Sequence, residues 1–113
     1  MKPETTIKLI DKILNGDKQA YSQLFNRNYA YCLKKAVGIV NDSQVAKDLV
    51  QESFLQAYFN LAILSDKSAF KPWLGGIVNN VCHNYLRAAK RQYESLKQYY
   101  ESHNDIESNA EKQ

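Results

Sequence analysis

Cysteine is scarce: only Cys32 and Cys82 occur in 113 residues. Each falls inside a helical pattern and neither has the C-x-x-C partner of a structural zinc site, so both read as buried free thiols. Histidine is as rare. His83 and His103 stand alone, with no second histidine or cysteine one helical turn away. Asp48 and Glu52 form an i, i+4 carboxylate pair, but no histidine or further inward carboxylate joins them to hold a metal. The chain contains no G-x-x-x-x-G-K-[ST] and no G-x-S-x-G, so neither a phosphate loop nor a serine nucleophile is outlined. No catalytic residue, metal or cofactor is therefore expected. Apolar runs are short, none approaching the about eighteen residues of a membrane span. The opening MKPETTIKLI lacks an apolar stretch followed by a small-residue cleavage site, so no secretory signal is expected and the chain reads as cytoplasmic, without membrane insertion. Internal repeats, low-complexity tracts and strand-type alternation are also missing.

What is present is ordinary for a globular chain. The hydrophobic fraction is 44% and the charged fraction 24%, which argues against wholesale disorder. A chain of 113 residues supports one core and no independent second module. The net charge of +3 is small, so its distribution carries more meaning than its total. Between Lys71 and Lys97, residues 71, 87, 90, 91 and 97 are basic against the single acid Glu94. Between Asp42 and Asp66, Asp42, Asp48, Glu52 and Asp66 oppose Lys47 alone. The first segment suits an anionic partner and the second does not.

Helical periodicity runs through most of the chain. Thr5 or Thr6 can cap a short first helix in which Ile7, Ile10, Ile13 and Leu14 recur at helical spacing, with Gly16 as its stop. Asp17 can cap a longer helix reaching about Val40, with Ala20, Leu24, Phe25, Tyr29 and Tyr31 among its apolar sites. Asn41, Asp42 and Ser43 form the next break. A third helix is predicted from Gln44 to about Leu61, its core arc being Ala46, Leu49, Val50, Ser53, Phe54, Ala57, Tyr58 and Leu61. On its other side Asp48, Gln51, Glu52, Leu55 and Phe59 cluster, so two large apolar groups sit among acids. Either a protein partner meets that face, or another part of the chain covers Leu55 and Phe59.

A loop from Ala62 to Ala69 follows, and Ser68 is a plausible cap for the last helix, with Pro72 in its first turn. Phe70, Trp73, Leu74, Ile77, Val78, Val81, Tyr85 and Ala88 fall in one arc of that helix. Opposite lie Asn79, Asn80, His83, Arg87 and Lys90, flanked by Asn84 and Arg91, with no acid among them. This face is either solvated or built to meet an anion. Gly75 and Gly76 each cost about 1 kcal/mol relative to Ala in a helix interior, which implies that bulk is excluded there. Past Arg91 the chain turns polar, with Leu96, Ile106 and tyrosines as anchors. The helix is expected to run on for about two turns, with the last dozen residues as tail. The predicted architecture is all-α, a compact bundle of about four helices over residues 1–91 with an extension and flexible linker over 92–113.

DLVQESFLQAY from Asp48 to Tyr58, followed by SAFKPWL from Ser68 with Ile77, Asn80, Asn84, Tyr85, Leu86, Arg87 and Arg91, resembles region 2 of bacterial sigma factors. The nearest group is the extracytoplasmic-function (ECF) class. NGDKQAYSQLF from Asn15 and the Tyr29 position are similar to the same family, so the resemblance spans about residues 5 to 91. It implies that the helix bearing D-L-V-Q-E docks on the clamp coiled coil of the RNA polymerase beta-prime subunit through Asp48, Gln51, Glu52 and Leu55, with Phe59 beside them. It further implies that the last helix and the loop before it recognise the promoter minus-ten element and hold the non-template strand open. The loop Ser65 to Ser68 would accept a flipped base, while Asn80, Asn84, Arg87 and Arg91 would contact bases or phosphates. Lys67, Lys71 and Lys90 complete the expected DNA-facing set. Trp73 is core by periodicity and at the edge of the melted strand by resemblance. Family members commonly carry bulkier and often basic residues where Gly75 and Gly76 stand, which implies weaker DNA affinity. The family's helix-turn-helix module for the minus-thirty-five element is not in this sequence, so the resemblance implies either one domain of a longer protein or a stand-alone region 2. A rival reading is a protein-interaction domain that titrates polymerase or an anti-sigma factor without binding DNA.

Overall fold

The computed structural model describes residues 3–111, with side chains described from residue 3 to residue 103. Helix α1 (Thr6–Leu14) starts at Thr5, whose hydroxyl oxygen accepts the Lys8 amide at 3.2 Å. It stops at Gly16, where φ is +95°. There the Gly16 and Asp17 amides turn back onto the carbonyls of Ile13 and Lys12, both at 2.9 Å, closing a left-handed cap that glycine adopts without steric cost. Asp17 then caps α2 (Lys18–Val40), accepting the amides of Gln19 and Ala20. Asn41 ends α2 in the left-handed conformation, and Asp42 caps α3 (Ser43–Asn60) by accepting the amides of Gln44 and Val45. Two 3₁₀ turns, Leu61–Ile63 and Lys67–Ala69, lead into α4 (Phe70–Glu111).

Several expectations need correcting. Asp66, not Ser68, is the capping residue before α4: its carboxylate accepts both the amide and the hydroxyl of Ser68. A carboxylate carries more acceptor capacity than a hydroxyl, and it sits two residues earlier, before the 3₁₀ turn. In α1 the buried stripe is Leu9, Ile10 and Ile13, while Ile7 and Leu14 are exposed. Tyr58 is likewise exposed rather than core. Helix α4 runs well past the two turns expected beyond Arg91, because no glycine or proline follows Gly76 to stop it. The side chain of Ile106, expected as an anchor, lies outside the described residues.

The chain divides into two compact units, Met1–His83 and Asn84–Gln113. In the first, the core holds Leu9, Ile10, Leu24, Cys32, Val50, Leu61, Phe70, Leu74, Val78 and Cys82 with almost no exposure. Each such large side chain contributes about 1.5–3 kcal/mol on burial. Phe25 of α2 links three helices, its ring centroid 4.7 Å from Phe54 of α3 and 6.0 Å from Phe70 of α4. The buried polar groups satisfy themselves on their own helices: Ser53 donates to the Leu49 carbonyl and Asn28 to that of Leu24, both at 2.7 Å. In the second unit every described side chain from 84 to 103 is exposed except the half-buried Leu86. Tyr85 and Ala88, expected in the core arc, are therefore outside it. Periodicity marks which side of a helix is apolar, but burial also needs an element to cover that side.

Candidate partner and nucleic-acid interfaces

Helix α3 buries Ala46, Leu49, Val50, Ser53, Phe54 and Ala57, which forces Asp48, Gln51, Glu52, Leu55 and Phe59 outward. Leu55 is 55% exposed and Phe59 77%, so among the described residues neither is fully covered by another part of the chain. Leu55, Tyr58 and Phe59 form one wall of an open groove of about 320 Å³ whose other wall is Lys18, Tyr21 and Ser22 of α2. Gln51 borders an adjoining cleft with Tyr21, Ser22, Asn26 and Tyr29. The Tyr21 ring meets Tyr58 edge-on at 4.9 Å, and burial followed by the neighbouring Tyr58 pushes the Tyr21 hydroxyl above its ordinary value.

The expected contacts thus do not share one environment. Gln51, Leu55 and Phe59 border the clefts against α2. Glu52 instead lies near enough to α4 that its charge, after burial, helps raise the Cys82 thiol. Sequence reasoning missed the α2 wall. The signal available was Tyr21 with Phe25 at i, i+4, which showed an aromatic stripe but not what it would face.

The other expected site starts in the loop before α4. Ser65 is exposed, while the Ser68 hydroxyl is held by Asp66 and the Lys67 ammonium pairs with the Asp11 carboxylate of α1. An exposed pair of this kind is worth only about 0–1 kcal/mol, so Lys67 can exchange Asp11 for another anion. On α4, Lys71 lies over the Tyr31 ring, 4.6 Å from its centroid. Trp73 is half-buried, packed on the core with its ring 5.9 Å from Phe70. Asn80 and His83 are exposed. In the second unit Asn84, Arg87, Lys90 and Arg91 are exposed, and the Arg87 guanidinium donates to the Asn84 amide oxygen. That bond uses the Asn84 amide oxygen and not its N–H donors.

Both cysteines are free and buried. Burial pushes the Cys32 thiol up to about 11, against the opposing pull of Lys35 and Lys71, so it is no nucleophile at neutral pH. Among the described residues no group of three or more His, Cys, Asp or Glu is placed to hold a metal ion, and no helix is long and apolar enough to cross a membrane.

Residues 24–92 match the sequence pattern of sigma-70 region 2. The chain belongs to the sigma-70 region 2 family. Every residue of both expected interfaces, from Asp48 to Arg91, lies inside that sigma-70 region 2 match. The RNA polymerase sigma-H factor of Pseudomonas aeruginosa is 35% identical over 85 residues, covering 75% of this chain and 44% of that protein. The ECF RNA polymerase sigma-E factors of Haemophilus influenzae and Escherichia coli are 33% and 34% identical over 84 residues, covering 74% of this chain and 44% of each. The chain therefore spans less than half the length of these curated relatives. The all-α architecture of the described residues accords with region 2 membership.

Proposed function

We propose that this chain acts as the region 2 domain of an ECF-type sigma factor, a non-enzymatic cytoplasmic adaptor in transcription initiation. Its α3 face attaches to the beta-prime clamp coiled coil of RNA polymerase, and its loop and α4 residues engage the minus-ten non-template strand. The observation that carries the docking half is the uncovered Leu55 and Phe59 set among Asp48, Gln51 and Glu52. Exposed apolar groups bordered by acids suit a partner helix that presents both apolar and basic side chains. For the strand, a base drawn out of the stack costs a few kcal/mol, and a site that recognises it converts that cost into sequence selection. Asn80 and Asn84 bring amides that donate and accept, whereas Arg87, Lys90 and Arg91 bring salt-dependent attraction.

The test is a two-armed binding assay with the full chain. Asp48→Ala with Leu55→Ala should abolish pull-down of the beta-prime clamp, and undiminished capture would refute docking. Asn80→Ala with Arg87→Ala should weaken binding to single-stranded minus-ten DNA, with polymerase present, by about tenfold or more. Equal binding by wild type and variant would remove the DNA half.

A second reading, a protein-interaction domain that titrates polymerase or an anti-sigma factor, draws support from Lys67, a cation already paired with Asp11. Clamp capture without measurable DNA affinity would favour it.

A further inference from the structure

Three residues of the first unit, among them the expected DNA contact Lys71, form a set whose arrangement neither interface explains. Lys71 and Gly75 stand at i, i+4 on α4 and so share one stripe of that helix. Tyr31 of α2 crosses that stripe. Its ring lies under the Lys71 ammonium, and its hydroxyl oxygen is 2.6 Å from where a Gly75 Cβ would stand. Any side chain at Gly75 would therefore displace the ring. We propose that Tyr31 is a positioning residue that holds the Lys71 ammonium as a contact for a DNA-strand phosphate, and that position 75 is glycine to admit it. The inference rests on the DNA half of the proposed function and adds a residue to it.

Physical chemistry supplies three supports. A lysine side chain loses several rotatable bonds' worth of freedom when its ammonium must meet a phosphate, and one already resting on a ring face has less freedom left to lose. The aromatic face attracts the cation without neutralising it, so the charge stays available to an anion, unlike that of Lys67 in its ion pair. Lys35 of α2, like Lys71, acts on the Cys32 thiol, so a further positive charge adds to the attraction of an anion to this part of the first unit.

The experiment follows fluorescence anisotropy of a labelled oligo-dT strand binding the full chain over a range of salt concentrations. Oligo-dT offers phosphates without requiring the promoter sequence. Lys71→Gln should weaken binding and lower the slope of log affinity against log salt by about 0.7, one phosphate contact on a single strand. Tyr31→Leu should weaken binding about two- to fivefold, and Tyr31→Phe, which keeps the ring, should restore it. The double variant Tyr31→Leu with Lys71→Gln should bind no worse than Lys71→Gln alone, because Tyr31 acts through Lys71. Gly75→Ala should weaken binding in the wild type but not in the Tyr31→Leu background. Helical circular dichroism at the assay temperature keeps each comparison among folded chains. Additive losses, or failure of Tyr31→Phe to restore binding, would overturn the positioning role. Binding indifferent to Lys71→Gln would overturn it while leaving the DNA reading intact, whereas a wild type that does not bind the strand removes both.

Discussion

At Gly75 a Cβ would press on the Tyr31 hydroxyl, whereas at Gly76 it would meet nothing within 4 Å. Both sit inside α4, where glycine costs helix stability, so the two positions should respond in opposite ways to the same substitution. Gly76→Ala should raise the unfolding free energy by about 1 kcal/mol, since the added methyl stiffens the unfolded chain and hits nothing in the folded one. Gly75→Ala should show no such gain, because Tyr31 must shift to make room. Urea denaturation of the two variants, with unchanged m-values, checks the contrast; equal gains would mean Tyr31 yields freely. The sequence showed two unfavourable glycines in a helix and nothing to separate them. The residue that separates them lies on another helix, far away in the chain.

The starts and stops of helices were the most legible elements. Thr5, Asp17, Asp42 and Gly16 do their work through bonds to residues at most five positions away, so their roles can be read locally. Asp42 is the informative case because it opens the helix that bears the proposed docking face. Asp42→Ala removes the acceptor for the Gln44 and Val45 amides and should lower stability by about 1 kcal/mol, measurable as a lower thermal midpoint. Replacement by Ser or Asn, which cap nearly as well, should recover most of the loss; no recovery would show that the cap is not the cause. Where the element reading failed, it failed for want of a stop signal: the polar last dozen residues looked like tail, yet polarity does not end a helix.

At the scale of the whole chain, aromatic residues fall into two groups that sequence composition cannot distinguish. Phe25 is buried against Phe54 and Phe70 from two other helices, whereas Phe59 is almost wholly uncovered. Phe25→Ala should cost about 3–5 kcal/mol, a large part of the roughly 5–15 kcal/mol available to a small domain. Phe59→Ala should change stability by no more than about 0.5 kcal/mol and act on clamp binding instead. Thermal melts of both variants beside a clamp pull-down separate the two roles, and a large loss of stability in Phe59→Ala would put it in the core. By itself the amino-acid sequence determined the four helices, the caps at Thr5, Asp17 and Asp42 and the mixed face of α3, because those depend on spacing within a few turns. Only the tertiary structure decided that Ile7, Tyr58 and Tyr85 stay uncovered, that Lys18, Tyr21 and Ser22 wall the groove beside Leu55, that Lys67 reaches Asp11, and that Gly75 makes room for Tyr31. Those outcomes depend on which surfaces meet across the fold, and a single helix's periodicity carries no record of its neighbour.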